Sequence, residues 1–278
     1  MKTTNQFFKA LAVILLLSII TTNVYAQEEK ETKRPEYIAV TTMHWNMDME
    51  DFSLDDWKAV EKEYLNKVTK KNEYIFSASV YLHEFTADNT ELIFVQTFAS
   101  WEDMDKFAKR SGELEKEAWP EEEARKAYFK KRNAYYANEH SDEIYTPLPN
   151  PKLMAEKPTK DLITYVRKSH FSFPEDGSKE DFMKLKKEGQ EAIINKNENI
   201  KAYYSHVHAW GANKTDFLEV FFLDSWADLD KMYDRNSELM KEAWPDEAAR
   251  KAKGKEWRRY FTGVHGDYLY KFMHELSK

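Results

Sequence analysis

The spacing of apolar and polar positions predicts one series of elements that occurs twice along the chain. Stretches rich in β-branched and aromatic residues predict strands, at 37–45, 74–85, 91–98 and 140–145, and again at 162–170, 200–210, 217–223 and 265–270. Apolar residues at helical spacing predict helices after the first and third strands of each series. The predicted order is therefore βαββαβ, repeated once.

Local signals for helix ends agree between the two series. The four main helices begin with the pattern S-x-x-D, in which the serine caps the first turn, at Ser53, Ser100, Ser178 and Ser225. This pattern falls at matching places in both copies, which strengthens the helix predictions.

The motif Glu-Ala-Trp-Pro occurs at Glu117 and again at Glu242, an offset of 125 residues. Proline disfavours helix in the residue before it and suits a first turn, so each motif predicts a break between two helices. A further helix is predicted at 120–137, with Asn138 as its left-handed cap and Gly263 as the matching cap in the second copy.

The repeated pattern predicts an α+β protein. Two tandem ferredoxin-like units, each with strand order 4-1-3-2, are expected to pack sheet to sheet within one chain. The predicted divisions are a signal peptide at 1–26, linkers at 27–36 and 148–161, and repeats at 37–147 and 162–278.

The tandem units, the S-W-x-D helix starts and the late segments H-x-D-x-[IL]-Y at His140 and His265 resemble the dimeric α/β-barrel superfamily in a fused form. The resemblance covers nearly all of the chain after residue 26. Members include antibiotic-biosynthesis monooxygenase-like, EthD-like, NIPSNAP-like and haem-handling proteins. Resemblance to the haem-handling members would imply that haem binds between the sheet and the helices, with a histidine on a helix as its ligand. The predicted long helices of this chain carry no histidine.

The N-terminal segment has the pattern of an export signal. Lys2 and Lys9 precede an apolar run, and small residues lead to Ala26, the expected cleavage site. The run is shorter than the ~20 residues of a membrane span. We therefore expect a periplasmic or secreted protein with no membrane span after cleavage.

Composition removes several classes of function. The chain has no cysteine, which excludes disulfides, thiolate metal sites and cysteine nucleophiles. A net charge of −7 argues against a nucleic-acid partner, which would need a basic face. No P-loop, G-x-G-x-x-G, H-E-x-x-H or nucleophile elbow occurs. The oligomeric state is left open.

Six of the eight histidines are paired by the repeat, as His83 with His208, His140 with His265, and His44 with His170. Imidazole is a common metal ligand. However, His44 and His83 would be separated by the third strand, roughly 10 Å apart. Structural histidines are therefore favoured over a metal site. Asp142 and Asp267 follow the paired histidines and either orient them as bases or bond turn amides; the turn interpretation is favoured.

Strand alternation predicts the candidate site. The apolar residues shared by both third strands are expected to face the helices: Ile93, Val95, Leu218 and Val220. The opposite face, expected to line the space between the units, has a mixed acid, base and cation set in the C-terminal copy: Arg167, Tyr204, His206, His208 and Glu219.

Three hypotheses follow. The first is an exported small-molecule protein with an interior pocket, either a binder or an acid–base enzyme without cofactor or metal. In it His208 or His206 is the base, Arg167 stabilises an anion, and Glu219 orients a histidine or acts as acid. The second is a haem or divalent-metal protein. The third is a non-catalytic interaction module of an envelope or polysaccharide system, with Trp210 and Tyr268 as exposed contacts.

Overall fold

The computed structural model describes residues 34–278, so the predicted signal peptide and most of its linker lie outside the described residues. The N-terminal unit contains β1 (Tyr37–Trp45), α1 (Leu54–Lys67), β2 (Ser77–Phe85), β3 (Glu91–Phe98), α2 (Trp101–Ala118), α3 (Glu122–Asn133) and β4 (Tyr136–Pro147). The C-terminal unit contains β5 (Leu162–Phe171), α4 (Lys179–Ala192), β6 (Ala202–Trp210), β7 (Asp216–Leu223), α5 (Ala227–Ala243), α6 (Glu247–Arg258) and β8 (Phe261–Phe272). The predicted βαββαβ order, with a split last helix, is confirmed in both units.

The eight strands form one closed antiparallel barrel in the order β1-β3-β2-β8-β5-β7-β6-β4. Each unit contributes its strands in the predicted 4-1-3-2 order. Two seams join the units, β2 with β8 and β4 with β6. Closure pairs the strand edges, which in an open sheet would be free to pair with another chain.

The inside of the barrel is a core that both units share. Tyr81 of β2 packs against Phe222 and Phe272 of the C-terminal unit, with ring centroids 6.3 Å and 5.6 Å apart. Near the other seam, Ile38 and Tyr145 join Leu218 in a second cluster. The barrel interior is therefore filled by side chains, mainly apolar ones.

The helices cover the outside of the barrel. In the N-terminal unit, buried Trp57 and Val60 of α1 pack on Val80 and Leu92 of the sheet. The corresponding layer of the C-terminal unit includes Met232 of α5 with Tyr203 and Phe221. Each strand thus has one face toward the shared interior and one toward the helices of its own unit.

The Trp-Pro motif breaks the helix as predicted. Helix α2 ends at Ala118, and Arg125 of the next helix donates to the Trp119 carbonyl at 3.0 Å. In the second copy, Arg250 donates to the Trp244 carbonyl at 2.8 Å. A carbonyl that the broken helix leaves without a partner is satisfied in both units.

The predicted end of the following helix is wrong. Helix α3 stops at Asn133, and Asn138 lies within β4 rather than at a helix cap. Tyr136 explains the early end, because its ring stacks on Trp45 and its hydroxyl donates to the buried carboxylate of Glu61 at 2.7 Å. Gly263 has a positive φ of 86°, but it lies in β8.

The serine caps differ within the repeat. Ser53, Ser100 and Ser178 each accept a hydrogen bond from the backbone N–H of the aspartate three residues later. Ser225 does not: α5 begins at Ala227, and the Ser225 hydroxyl donates to the Asp228 carboxylate instead.

We predict that Ser100→Ala lowers the free energy of unfolding by about 1 kcal/mol, because it leaves the Asp103 N–H without its acceptor. Ser225→Ala is the matched control and should cost less than half as much. Urea unfolding followed by circular dichroism measures both. Equal losses in the two variants would contradict the assignment.

Candidate functional site

The five residues predicted to form one site lie on two different faces of the barrel. Tyr204 packs against Phe222 inside the barrel, with ring centroids 5.9 Å apart, and His206 and His208 follow it on the same face of β6. Glu219 faces the helices, where it accepts from the Tyr203 hydroxyl at 2.9 Å.

Arg167 lies opposite Glu219 on the neighbouring strand and shares the face of Tyr165, which packs in the cluster beneath α5. The prediction that the five residues share the space between the units is therefore wrong. The structure brings together Arg167 with Glu219, and separately the three aromatic residues of β6.

The error comes from the first and third strands. Val40 pairs with Val95 in β1 and β3, whereas Val166 pairs with Val220 in β5 and β7. The first strands are thus offset by 126 residues, and Arg167 does not correspond to Thr42. The valines of both third strands face the shared interior, the reverse of the prediction.

His206 is 9% exposed, and its Nδ1 has no hydrogen-bond partner among the described residues. Burial, with a smaller contribution from the charge of Lys186, lowers the pKa of His206 to about 4. It is therefore neutral near pH 7.

His208 lies nearer the barrel end, where its Nε2 donates to the Gly211 carbonyl at 3.3 Å.

A polar cluster closes this end of the barrel and was not predicted. Asp216, whose side chain is fully buried, lies 2.6 Å from the Lys168 amine and 3.0 Å from His170. The Tyr145 hydroxyl donates to Glu143 at 2.5 Å. The Lys168 ammonium compensates the charge of Asp216, which is the condition for burying a carboxylate.

The paired segments at His140 and His265 lie in strands, so the turn interpretation of Asp142 and Asp267 is wrong. Asp142 accepts from the Thr41 hydroxyl, and Asp267 accepts from the Tyr165 hydroxyl, both at 2.5 Å. The imidazole of His265 lies 3.1 Å from Asp267.

A cavity of about 330 Å³ lies between the sheet of the C-terminal unit and its three helices. Its walls are mainly apolar and include Leu185, Ile193, Met240, Trp244 and Trp257. Lys186, Gln190, Tyr203 and Glu219 supply polar groups. Glu219 is the one residue of the predicted set that lines it.

The internal repeat shows how this cavity arises. At the same positions of the N-terminal unit, 125 residues earlier, Tyr64 and Phe129 fill the space, with ring centroids 6.3 Å apart. Their counterparts are Gly189 of α4 and Gly254 of α6, which both line the cavity. A Cβ on Gly189 would meet no atom within 4 Å. Two aromatic-to-glycine differences thus open the C-terminal unit.

The charged groups differ in the same way. In the N-terminal unit Arg132 forms a bidentate pair with buried Glu61, at 2.7 Å and 2.9 Å. The C-terminal counterparts are Trp257 and Lys186. The Glu61–Arg132 ion pair of the N-terminal unit is thus replaced in the C-terminal unit by the amine of Lys186 and the indole of Trp257.

Lys186 is 4% exposed and donates to the Gln190 side chain at 2.9 Å. Among the described residues, no carboxylate lies within ion-pair distance of its amine. Burial lowers the pKa of Lys186 to about 8, and the charge of Glu219 opposes that shift. Burial likewise raises the pKa of Glu219.

A second, more open cavity of about 360 Å³ lies outside the barrel beside α5. Its lining includes Phe85, Trp226, Tyr233 and Tyr268. Trp210, predicted as an exposed contact, is 70% exposed.

Within residues 34–278, no group of three histidine, aspartate or glutamate side chains is arranged to hold a metal ion. None of the helices described for this part of the chain is long and apolar enough to cross a membrane.

No protein-family model and no curated protein matches the chain. Solved structures do match. A monooxygenase-like protein from Lactobacillus acidophilus is 8% identical, with a TM-score of 0.53 and coverage of 85% of this chain and 94% of that one. A second, from Fusobacterium nucleatum, is 10% identical, with a TM-score of 0.53 and coverage of 86% and 92%. A mutant chlorite dismutase from Candidatus Nitrospira defluvii is 13% identical, with a TM-score of 0.50 and coverage of 86% and 93%.

These structures are dimeric α/β barrels, and the chain has that fold. The comparison also corrects the cofactor prediction. Absence of a cofactor was expected from the residues alone, but chlorite dismutases of the same fold bind haem.

The cavity residues do not fit a histidine-ligated haem. In the described chain, the residues that line the cavity include no histidine. Tyr203 is the lining phenol, and burial together with Glu219 raises its pKa, which disfavours the phenolate that would ligate iron.

We predict that Lys186→Met raises the free energy of unfolding at pH 7 by about 1–3 kcal/mol, because it removes an unpaired buried amine. The folded state binds this proton less tightly than the unfolded state, so the amine is destabilising below about pH 8. The gain should shrink as the pH rises from 8 toward the ordinary lysine pKa of 10.5.

Urea unfolding at pH 7, 8.5 and 10 measures this gain. Lys253→Met is the matched control, because Lys253 also lines the cavity but pairs with Glu188 at 2.8 Å. A gain that is absent, or equal at all three pH values, would disprove the prediction.

Proposed function

We propose that the chain binds a compact, mainly apolar organic molecule in the cavity of the C-terminal unit. The observation that carries the proposal is the replacement of Tyr64 and Phe129 by Gly189 and Gly254 at matching positions. Glycine within a helix costs roughly 1 kcal/mol relative to alanine. Two such positions, both lining one cavity, are explained by a need for space.

The walls define the class of ligand. A volume of about 330 Å³ falls at the lower end of the range of ligand pockets and suits one or two rings. Trp244 and Trp257 provide aromatic surface. One polar group of the ligand would lie toward Lys186 and the Tyr203–Glu219 pair, which otherwise face an apolar cavity.

Glu219 keeps the role of proton donor that the sequence suggested. A buried carboxyl with a raised pKa is the form a general acid needs. The roles given to His206 and His208 do not transfer, because these side chains lie on the barrel face away from the cavity.

We also infer that the protein is exported. The inference is supported by the basic, apolar and small-residue order of residues 1–26.

We predict that Gly189→Tyr weakens binding of small ring compounds at least tenfold, because it restores the ring found in the N-terminal unit. Indole, benzyl alcohol and 2-naphthol are suitable probes, with binding followed by Trp244 and Trp257 fluorescence and by calorimetry. Gly112→Tyr is the matched control, since Gly112 is also a helix glycine with open space at its Cβ, but lies in α2.

The control variant should bind as the unaltered protein does. Binding that Gly189→Tyr leaves unchanged would place the site elsewhere. Failure of all three probes to bind the unaltered protein would count against the proposed ligand class.

A further inference from the structure

We propose that Lys186 is a nucleophile that captures an aldehyde as an imine inside the cavity. This inference rests on the proposed function, since the aldehyde must first enter the cavity. The inference extends the proposed function in two ways. It names an aldehyde as the reactive group of the ligand, and the Lys186 amine nitrogen as the protein atom that bonds to it.

The position of the amine supports this role. Lys186 lies on α4 and projects to the sheet, where its Nζ lies 5.7 Å from the centroid of the Tyr203 ring. Gln190 Oε1 accepts one of its hydrogens at 2.9 Å. The amine is therefore held by one neutral acceptor and one ring, at the wall of a cavity large enough for an aromatic aldehyde.

The surroundings favour the free base, which is the reactive form. An amine buried among apolar groups without a counter-ion loses its proton more readily, as burial lowers the pKa to about 8. At pH 8 such an amine has a free-base fraction roughly a hundredfold larger than an ordinary surface lysine.

Several charged groups face the same space. They are Glu188 on α4, Glu219 on β7, Arg167 beside it on β5, and Lys253 and Arg258 on α6, together with the neutral Tyr203 phenol on β6. Lys253 and Glu188 neutralise each other at 2.8 Å. Glu219 is the group that favours the protonated amine, and it does not outweigh burial.

The reaction balances without an oxidant or reductant. The Lys186 nitrogen forms a bond to the aldehyde carbon, giving a carbinolamine. Its C–O bond then breaks, the oxygen leaves as water, and the C=N bond that remains becomes a neutral imine when the nitrogen returns its proton to the Glu219 carboxylate. The departing hydroxyl needs a proton, and Glu219 is the nearby carboxyl whose raised pKa allows it to supply one.

The repeat again provides a contrast. The N-terminal counterpart of Lys186 is Glu61, which is paired with Arg132 and cannot form an imine. Within the described chain, Lys253 lines the same cavity but is paired and has a raised pKa, first because of its hydrogen bond to Glu188. It is the matched lysine for the test.

The test uses benzaldehyde with sodium cyanoborohydride at pH 7 and 8.5, followed by intact mass spectrometry and peptide mapping of the full chain. The reductant converts an imine to a stable secondary amine. We expect Lys186 to be modified at least tenfold faster than Lys253, and the excess to vanish in Lys186→Arg. Benzyl alcohol, which has the same ring without the carbonyl, is titrated in parallel.

The outcomes separate the two proposals. Preferential modification of Lys186 supports imine capture. Binding of benzyl alcohol with no preference for Lys186 overturns imine capture and leaves the cavity proposal standing. If neither compound binds and labelling follows exposure alone, both proposals are overturned. Peptide mapping of the unaltered protein decides the matter even if a variant fails to fold.

Discussion

The structure depends on the closure of the strands into one barrel. Once β2 pairs with β8 and β4 with β6, every strand of the described chain has two neighbours, and the interior belongs to both units. That interior contains packed rings such as Tyr81, Phe222 and Phe272. The cavity proposed to bind a ligand lies elsewhere, where the sheet of the C-terminal unit meets its own helices.

The helix–sheet layers of the two units are packed differently. The N-terminal unit fills its helix–sheet layer with Tyr64, Phe129 and the Glu61–Arg132 pair. The C-terminal unit has glycines and an unpaired amine at these positions, an arrangement that costs stability. Open space and buried charge are tolerated in one half because the other half is well packed and shares its barrel.

Much of the fold could be predicted from the sequence. The repeat of Glu-Ala-Trp-Pro and of the S-x-x-D starts fixed the element order, because two copies had to agree. The orientation of the faces of β3, β5 and β7 could not be predicted. Alternation along a strand separates its two faces but does not say which face meets the helices. A difference of one residue in the offset of β5 added to the error. Glu219 was identified, but Lys186 was not. The signal for it was present in the helices, where Tyr64 and Phe129 align with Gly189 and Gly254.

Covalent fusion of the repeats has a consequence for stoichiometry. In a barrel built from two identical chains, two-fold symmetry forces any feature of one half to appear in the other, so there are two cavities or none. A fused pair is free of that symmetry, because the two repeats can differ in sequence. The asymmetry between Tyr64 and Gly189 therefore opens the helix–sheet layer of one repeat and not that of the other, an arrangement that a homodimer of either half alone would not reach.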